Sequence, residues 1–475
     1  MIFSSYSFVF VFLPVVVILY YTFSKFKSTY YQRFILIVAS LFFYGFNNPS
    51  YLILFAISVI MNYVLALGIQ NSGIYVCKKM ILMAGVLSNL GLIGYFKYYN
   101  FFISNVNFFL KTDFGLREIL LPLGISFFTF QQLTFLISVY RQEERTGGFI
   151  EYCLFVSFFP QLVAGPIVIY NEMEPQFVKD KNRFFNIDNF TAGIYLFVIG
   201  IFKKAVIADT ISVFVDNGFK ISNIGFAAAL VTSISYTLQI FFDFSGYSDM
   251  AVGIGKMFNY DLPFNFSSPY KAGSITEFWR RWHITLGRAL TRCVYIPLGG
   301  NRKGIKRTCI NLFLVFLVSG VWHGADWTFA IWGMCHGILV VVERVFKKQF
   351  LCIPSGIRTV ITFLCINFLW VLFRAENLVG ALVVYKGLIG LSGMRFEQIS
   401  QIAKDGIVNF PDFINYIYVM GILLLTLIIT FKCQNSIDRM HNFIRTRRNA
   451  LCVAFLFWIS VICMSRESIF IYFIF

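Results

Sequence analysis

Eleven mainly apolar stretches recur along this chain and constrain its fold more than any other feature. A helix that crosses a bilayer needs roughly 20 mainly apolar residues, and somewhat fewer where interfacial aromatic residues extend it. Apolar residues make up 58% of the 475 residues and charged residues only 13%, too few to cover a soluble domain of this size. We therefore predict an all-α polytopic membrane protein with about 11–14 transmembrane or re-entrant helices. The stretches are Phe8–Phe23, Phe34–Phe46, Tyr51–Ile69, Met80–Phe96, Phe190–Ile201, Phe226–Phe242, Ile310–Val321, Phe329–Val342, Val360–Phe373, Phe413–Phe431 and Leu451–Met464.

The formal net charge of +17 is concentrated in alternate short loops, and loops rich in Lys and Arg stay in the cytoplasm. This pattern predicts a multi-pass protein of the inner or plasma membrane whose amino and carboxyl termini both lie outside the cytoplasm. The lipid bilayer is therefore the expected partner of these basic loops. No basic run is interleaved with soluble aromatic modules, so nucleic acid is not expected as a partner. The clusters include Lys25, Lys27 and Arg33, then Lys78 and Lys79, Lys347 and Lys348, and finally Lys432, Arg439, Arg445, Arg447 and Arg448.

Residues 261–307 form the most unusual segment, because eight Lys or Arg residues lie between Arg280 and Arg307 without an acidic residue. Trp279, Trp282 and Leu286 recur at helical spacing. We predict an amphipathic or re-entrant helix on the cytoplasmic side. One interpretation is a surface helix that binds anionic lipid headgroups. The other is a cationic vestibule for a phosphate-bearing acyl donor, since Arg and Lys both suit phosphate.

The chain has only four histidines, and three of them lie in or beside apolar segments. An ionisable group at membrane depth is a candidate functional residue because it is costly to place there. His323 ends an apolar helix in S-G-V-W-H-G-A-D-W, between glycines that allow close approach of a substrate or a helix. Its alternative is a neutral histidine in a helix–helix hydrogen bond, which suits the mid-helix His336 well. For His283 the alternative is an interfacial position, and His441 in a basic loop is expected to be solvated.

No metal site is expected from the sequence, because H-x-x-H, H-E-x-x-H and C-x-x-C are all missing and the ten cysteines are scattered. The serine-hydrolase motif G-x-S-x-G is missing as well. What remains is a histidine that acts as general base on a hydroxyl group, since its ordinary pKa lies near neutrality. Acyl transfer to an alcohol needs such a base, donors for the oxyanion and the exclusion of water.

Motifs spread over nearly the whole chain then make it recognisable. They include L-P-L-G-I-S-F-F-T-F-Q, F-F-P-Q-L-V-A-G-P-I, F-F-D-F-S-G-Y-S-D-M-A-V-G-I-G, E-F-W-R-R-W-H-I-T-L, Y-I-P-L-G-G-N-R, S-G-V-W-H-G-A-D-W and F-R-A-E. The chain resembles the membrane-bound O-acyltransferase (MBOAT) family, and within it the bacterial alginate O-acetyltransferase-like branch that acetylates polysaccharides. The resemblance implies a single membrane domain over residues 1–475 that surrounds a central tunnel.

The resemblance also implies roles for named residues. His323 is similar to the family's catalytic histidine and His283 to its second signature histidine. Acetyl-CoA is the implied acyl donor, with no tightly bound cofactor. Its phosphates would lie near the basic segment, where Arg280, Arg281 and Arg302 are the candidate donor-binding residues.

The carboxyl-terminal segment 466–475 ends in F-I-Y-F-I-F, which is similar to an F-x-Y-x-x-F pattern at the end of several members of this branch. The resemblance implies that Tyr472 accepts the acyl group near His323 and passes it to an esterase-like partner outside the cytoplasm. A phenol, with a pKa of about 10, leaves more readily than an aliphatic alcohol. The alternative is an aromatic-belt tyrosine at the outer interface.

One departure from the family concerns the donor side. Thr291-Arg292-Cys293 stands where the family usually has an Arg-Asp-Tyr run, and Ala289 stands at the position of a usual Trp. This leaves the donor-side details and the identity of the acyl group open, while His323 and His283 are unaffected.

The leading hypothesis is acetyl transfer across the membrane for the O-acetylation of an exported or cell-envelope polysaccharide. A second enzyme hypothesis is D-alanyl transfer to teichoic acid, against which stand the length of the chain and its L-G-G-N-R and F-R-A-E motifs. The non-enzyme alternative is a transporter of polysaccharide or lipid-linked sugar. Such transporters often consist of two matching halves, which this sequence does not show.

Overall fold

A computed structural model describes residues 1–26, 28–403 and 411–465, and within them the chain is 77% helical with no strands. The predicted all-α class is confirmed. The helices are α1 (Leu13–Thr22), α2 (Tyr30–Gly45), α3 (Ser50–Asn71), α4 (Tyr75–Ile93), α5 (Tyr99–Leu110), α6 (Ile125–Tyr140), α7 (Phe149–Ser157), α8 (Phe159–Leu162), α9 (Tyr170–Val178), α10 (Ile187–Ile201), α11 (Asp209–Lys220), α12 (Phe226–Met257), α13 (Ile275–Arg281), α14 (Ile284–Leu290), α15 (Gly304–His323), α16 (Trp327–Val345), α17 (Lys347–Leu351), α18 (Ser355–Arg374), α19 (Leu378–Leu388), α20 (Glu397–Ala403), α21 (Asp412–Lys432), α22 (Ser436–His441) and α23 (Arg447–Cys463).

Nine helical segments of the described chain are long and apolar enough to cross a membrane, so the protein is a multi-pass membrane protein. Two shorter apolar helices, α6 and α19, accompany them. Two of the predicted stretches, Phe34–Phe46 and Leu451–Met464, fall on helices of 16 and 17 residues, α2 and α23. The central tunnel and the sidedness of the termini stay predictions. The candidate spans are Phe8–Lys25, Ser50–Asn71, Tyr75–Leu110, Ile187–Lys220, Phe226–Met257, Gly304–His323, Trp327–Val345, Ser355–Arg374 and Asp412–Lys432.

Contacts divide the chain into two compact units: Met1–Val198 with Tyr247–Phe264, and Ile199–Gly246 with Asn265–Phe475. The single domain over residues 1–475 stays a prediction. In the first unit, α3 presents Ile53 and Ile57 outwards, where an apolar residue favours lipid. Its opposite face buries Asn62, whose amide exchanges two hydrogen bonds of 3.2 and 2.7 Å with the amide of Asn89 on α4. Such pairs join helices inside a bilayer, where a lone amide would be costly.

In the second unit, α15 and α16 form a tight helical hairpin. A Cβ atom at Gly320 would lie 2.9 Å from the Cα of Gly333, so only glycine permits this approach. A Cβ atom at Gly324 would overlap the ring of Phe329. The predicted close approach at both glycines is therefore an approach of the chain to itself. It holds the carboxyl end of α15 against the first turns of α16.

A buried ion cluster lies in the second unit, where a π-helix over Phe202–Ala208 joins α10 to α11. The Nζ atom of Lys204 lies 2.7 Å from a carboxylate oxygen of Asp209 and 2.7 Å from one of Asp243 on α12. All three side chains are less than a tenth exposed. The wide turn of the π-helix brings Asp209, five residues after Lys204, back to the same side of the helix.

Candidate functional site

The break between α13 and α14 positions His283. Helix α13 ends at Arg281 and α14 begins at Ile284, while His283 adopts a left-handed conformation with φ of +45°. The backbone N–H of Ile284 donates to the carbonyl of Asn265, and the N–H of Ser267 donates to the carbonyl of Arg281. These bonds attach the break to residues 265–267. The predicted helix through Trp279, Trp282 and Leu286 is therefore interrupted: Trp279 lies in α13, Trp282 follows its last residue and Leu286 lies in α14.

Asn265 determines the hydrogen-bonding state of His283. Its side-chain oxygen accepts from the hydroxyl of Thr285 at 2.6 Å and from the backbone N–H of Thr285 at 3.3 Å. The Nδ1 atom of His283 lies 3.3 Å from the same oxygen. Because an amide oxygen can only accept, Nδ1 carries the proton. A neutral His283 therefore has its lone pair on Nε2, which is the atom that could act as a base.

His283 is buried, with 2% of its surface exposed, and its ring lies edge-on to Phe244 at 4.8 Å. It lies outside the nine candidate spans. Burial lowers the pKa of His283 to about 3, because the charged ring is poorly solvated there. At neutral pH the imidazole is uncharged, as a general base must be before it takes a proton.

His323 is the last residue of α15, and its ring centroid lies 6.5 Å from that of His283. The structure thus brings together the two histidines that the sequence singled out. Three aromatic rings enclose His323: Trp322 at 5.0 Å, Phe373 at 5.2 Å and Trp332 at 5.4 Å. An aromatic enclosure excludes water and strengthens electrostatic interactions inside it.

His336 on α16 is fully buried, and its Nδ1 atom accepts a hydrogen bond of 3.2 Å from the indole Nε1 of Trp279 on α13. The predicted helix–helix hydrogen bond of His336 is therefore confirmed. Sequence reasoning did not single out Asn265, Trp332 or His336 as site residues. A polar Asn265 between aromatic residues in P-F-N-F was a signal for the first, and the four-residue spacing of Trp332 and His336 was one for the others.

The basic residues of the predicted donor site differ in their surroundings. Arg280 and Arg302 are exposed. The guanidinium of Arg281 lies 2.5 Å from the carboxylate of Glu277, one helical turn earlier. Because this pair lies at the surface, it compensates charge but contributes little to stability. Arg280 and Arg302 therefore carry more of the local positive potential than Arg281 does.

Tyr472 and the segment 466–475 lie outside the described residues. Among residues 1–26, 28–403 and 411–465, no group of three or more His, Cys, Asp or Glu side chains could hold a metal ion. The roles of His323, His283, Arg280, Arg281 and Arg302 stay predictions.

Comparison with known proteins shows the family of this chain. Residues 4–379 match the model of the MBOAT, membrane-bound O-acyltransferase, family. A peptidoglycan O-acetyltransferase of Helicobacter pylori is 41% identical over 100% of this chain and 97% of its own length. A probable alginate O-acetylase of Pseudomonas aeruginosa is 39% identical over 86% of this chain and 78% of its own. A teichoic acid D-alanyltransferase of Bacillus subtilis is 30% identical over 53% of this chain and 67% of its own.

Proposed function

The chain belongs to the membrane-bound O-acyltransferase family and is an acyltransferase, and from this premise we propose that it O-acetylates a cell-envelope polysaccharide. Peptidoglycan is the first acceptor to test, because the peptidoglycan O-acetyltransferase matches the whole chain. The observation that carries the proposal is the pair of buried imidazoles, His283 and His323, 6.5 Å apart.

His323 is the general base of the proposed reaction. It takes the proton of the accepting hydroxyl while the oxygen of that hydroxyl bonds to the acetyl carbon. The carbon–sulfur bond of the thioester then breaks, and the proton passes from the imidazole to the departing sulfur. The aromatic enclosure of His323 supports this role, since an activated thioester must be protected from hydrolysis.

Acetyl-CoA is the proposed donor, and the exposed Arg280 and Arg302 support this choice because they can attract its phosphates from the cytoplasm. Arg281 would contribute less, since Glu277 already pairs with it. His283 would accept a hydrogen bond through its Nε2 atom from the accepting hydroxyl group and so hold it near His323.

Tyr472 is the proposed relay that receives the acetyl group and hands it to an esterase-like partner outside the membrane. D-alanyl transfer is the second candidate, supported by the D-alanyltransferase that matches half of the chain. The two donors differ, because D-alanyl transfer would need a charged carrier protein in place of acetyl-CoA.

The test replaces His323 by Ala and compares it with His441→Ala, a matched control at an exposed histidine. Loss of a general base costs about 10²–10⁴-fold in rate. We expect His323→Ala to abolish the acetate that mild base releases from purified cell wall, and His441→Ala to leave it unchanged. Unchanged wall acetylation in His323→Ala would refute the proposal.

Two further measurements test the Tyr472 relay and the identity of the donor separately. Tyr472→Phe should stop transfer to the wall while acetyl-CoA binding persists; normal wall acetylation would exclude the relay. Purified protein should consume acetyl-CoA without a carrier protein. A strict requirement for a D-alanyl carrier would favour the second candidate.

A further inference from the structure

One face of α16 carries a row of three polar residues at four-residue spacing: Thr328, Trp332 and His336. Residues four apart lie on the same face of a helix. All three are fully buried, with 0% of their surface exposed. Within the described parts of the chain, the Thr328 hydroxyl, the Trp332 indole N–H and the His336 Nε2 have no hydrogen-bond partner.

The bond from Trp279 determines what His336 can offer. An indole N–H can only donate, so Nδ1 of His336 must be the unprotonated nitrogen. The neutral imidazole then carries its proton on Nε2. His336 is therefore held as a hydrogen-bond donor, directed away from Trp279, and its acceptor is missing from the described residues.

Trp332 lies one helical turn before His336 on α16, and its ring contacts that of His323. Its ring lies 5.4 Å from that of His323 and 4.7 Å from that of His336. Its indole N–H is likewise a buried donor whose acceptor is missing from the described residues. Buried donors are rarely left unsatisfied, because losing water without gaining a partner costs more than an ordinary hydrogen bond contributes.

We propose that Trp332 and His336 form an oxygen-binding site that holds the carbonyl oxygen of the acyl donor beside His323. This proposal rests on the proposed function, which brings a thioester to His323. Both groups donate and neither accepts, so they match a carbonyl oxygen, which only accepts, better than a hydroxyl, which does both. The two residues hold the oxygen by hydrogen bonds and transfer no proton.

Because this site lies beside His323, it should also affect the rate of acyl transfer. When the hydroxyl oxygen attacks the acetyl carbon, negative charge moves onto the carbonyl oxygen. Donors placed beforehand around that oxygen bind it more strongly in the transition state than in the bound donor. Both Trp332 and His336 should therefore affect the rate constant of acyl transfer as well as the affinity for the donor.

The test measures binding of two analogues of acetyl-CoA to purified full-length protein. In the first, a methylene group replaces the sulfur, so the carbonyl remains but cannot be transferred. The second is the ethyl thioether of CoA, which lacks the carbonyl oxygen. We expect the wild-type protein to prefer the first by about 10-fold, the equivalent of one well-placed hydrogen bond.

Trp332→Phe and His336→Phe should each reduce this preference towards 1, with unchanged affinity for the thioether. Trp370→Phe is the matched control, because its indole stacks on Trp332 at 5.7 Å but donates to the hydroxyl of Tyr270. The control should keep the preference. A purely structural role would change the affinities for both analogues together and leave their ratio intact.

Each other outcome has a defined meaning. Retention of the preference in both variants, or its equal loss in Trp370→Phe, would overturn the oxygen-binding site. So would binding of both analogues by the wild type without preference. If the wild type binds neither analogue, acetyl-CoA fails as the donor of the proposed function. Wall acetylation in cells then decides the site: Trp332→Phe and His336→Phe must both reduce it below the level of Trp370→Phe, or the site is rejected.

Discussion

His283 and His336 share burial and an edge-on aromatic neighbour but differ in the hydrogen-bond partner of Nδ1. Both rings are buried, and each lies edge-on to an aromatic ring at 4.8 Å, Phe244 for the first and Trp279 for the second. His283 faces the side-chain oxygen of Asn265, whereas His336 faces an indole N–H. The first is therefore protonated on Nδ1 and the second on Nε2.

One neighbouring atom therefore decides which nitrogen of a buried neutral histidine carries the proton. An acceptor beside Nδ1 leaves a basic Nε2, while a donor beside Nδ1 leaves an N–H on Nε2. The chain can thus hold a base and a donor of the same residue type within one unit. The ring of His323 is 6.5 Å from that of His283 and 5.4 Å from that of Trp332, which lies 4.7 Å from the ring of His336.

The largest effect is expected from His283→Asn. Asparagine tolerates the left-handed conformation of this position, so the break between α13 and α14 should persist. Removing the Nε2 atom that positions the accepting hydroxyl beside His323 should lower acetyl transfer by about 100-fold or more, measured as acetate released from the cell wall. The same change at His336 should cost less; an equal loss at both positions would break the comparison.

A smaller effect, visible in the pH dependence, is expected from Asn265→Asp. A carboxylate accepts the same bonds from Thr285 but favours the charged imidazole, so it should raise the pKa of His283 from about 3. As the pH falls, His283 in the variant is protonated earlier and loses its hydrogen-bond acceptor, so the acid limb of the rate profile should move upwards by about 1 pH unit or more.

The same raised pKa should change how the stability of Asn265→Asp depends on pH. In the wild type the depressed pKa of His283 means that stability is lost as the pH falls below the unfolded-state value of about 6.5, because the unfolded chain binds the proton first. Raising the folded-state pKa in Asn265→Asp should reduce this loss of stability at acid pH. Asn435→Asp is the control, since Asn435 donates to the carbonyl of Phe266 and not to a histidine. An unmoved acid limb in Asn265→Asp would contradict the assigned proton on Nδ1.

The smallest effect is expected from Trp279→Phe, which removes the donor to His336 but keeps a ring in place. His336 can then exchange its proton between the two nitrogens, so its N–H is no longer fixed on Nε2. Loss of one hydrogen bond of about 1 kcal/mol should lower the rate of acetyl transfer by about 5-fold. Trp458→Phe, at a tryptophan with 66% of its surface exposed, should leave the rate unchanged.

The sequence predicted the all-α membrane class because apolar length depends on local residues alone, and the nine candidate spans overlap predicted stretches. Through the family resemblance it also singled out His283 and His323, whose separation of 6.5 Å only the structure shows. It predicted one helix through Trp279, Trp282 and Leu286. This was wrong because Asn265, 18 residues from His283, holds a break before Leu286 by hydrogen bonds. Local periodicity cannot reveal such a bond.

The sequence could not predict the hydrogen bond between Trp279 and His336, because 57 residues separate them. Their contact depends on the packing of α13 against α16. The compensation of Arg281 by Glu277 could have been found, since the two are one turn apart on α13. Glu277 lies just before the segment from Arg280 to Arg307, which itself contains no acidic residue.

The Lys204 cluster has a consequence for how this protein enters the membrane. A lysine at the centre of a lone inserting helix costs about 3 kcal/mol. Asp209 enters with it on the same helical segment, but Asp243 arrives only with α12. We expect Ile187–Lys220 and Phe226–Met257 to insert as a hairpin, so that a chain truncated after Lys220 inserts less well than one truncated after Met257, as glycosylation mapping would measure. The insertion of Ile187–Lys220 would then be complete only after Asp243 has been synthesised.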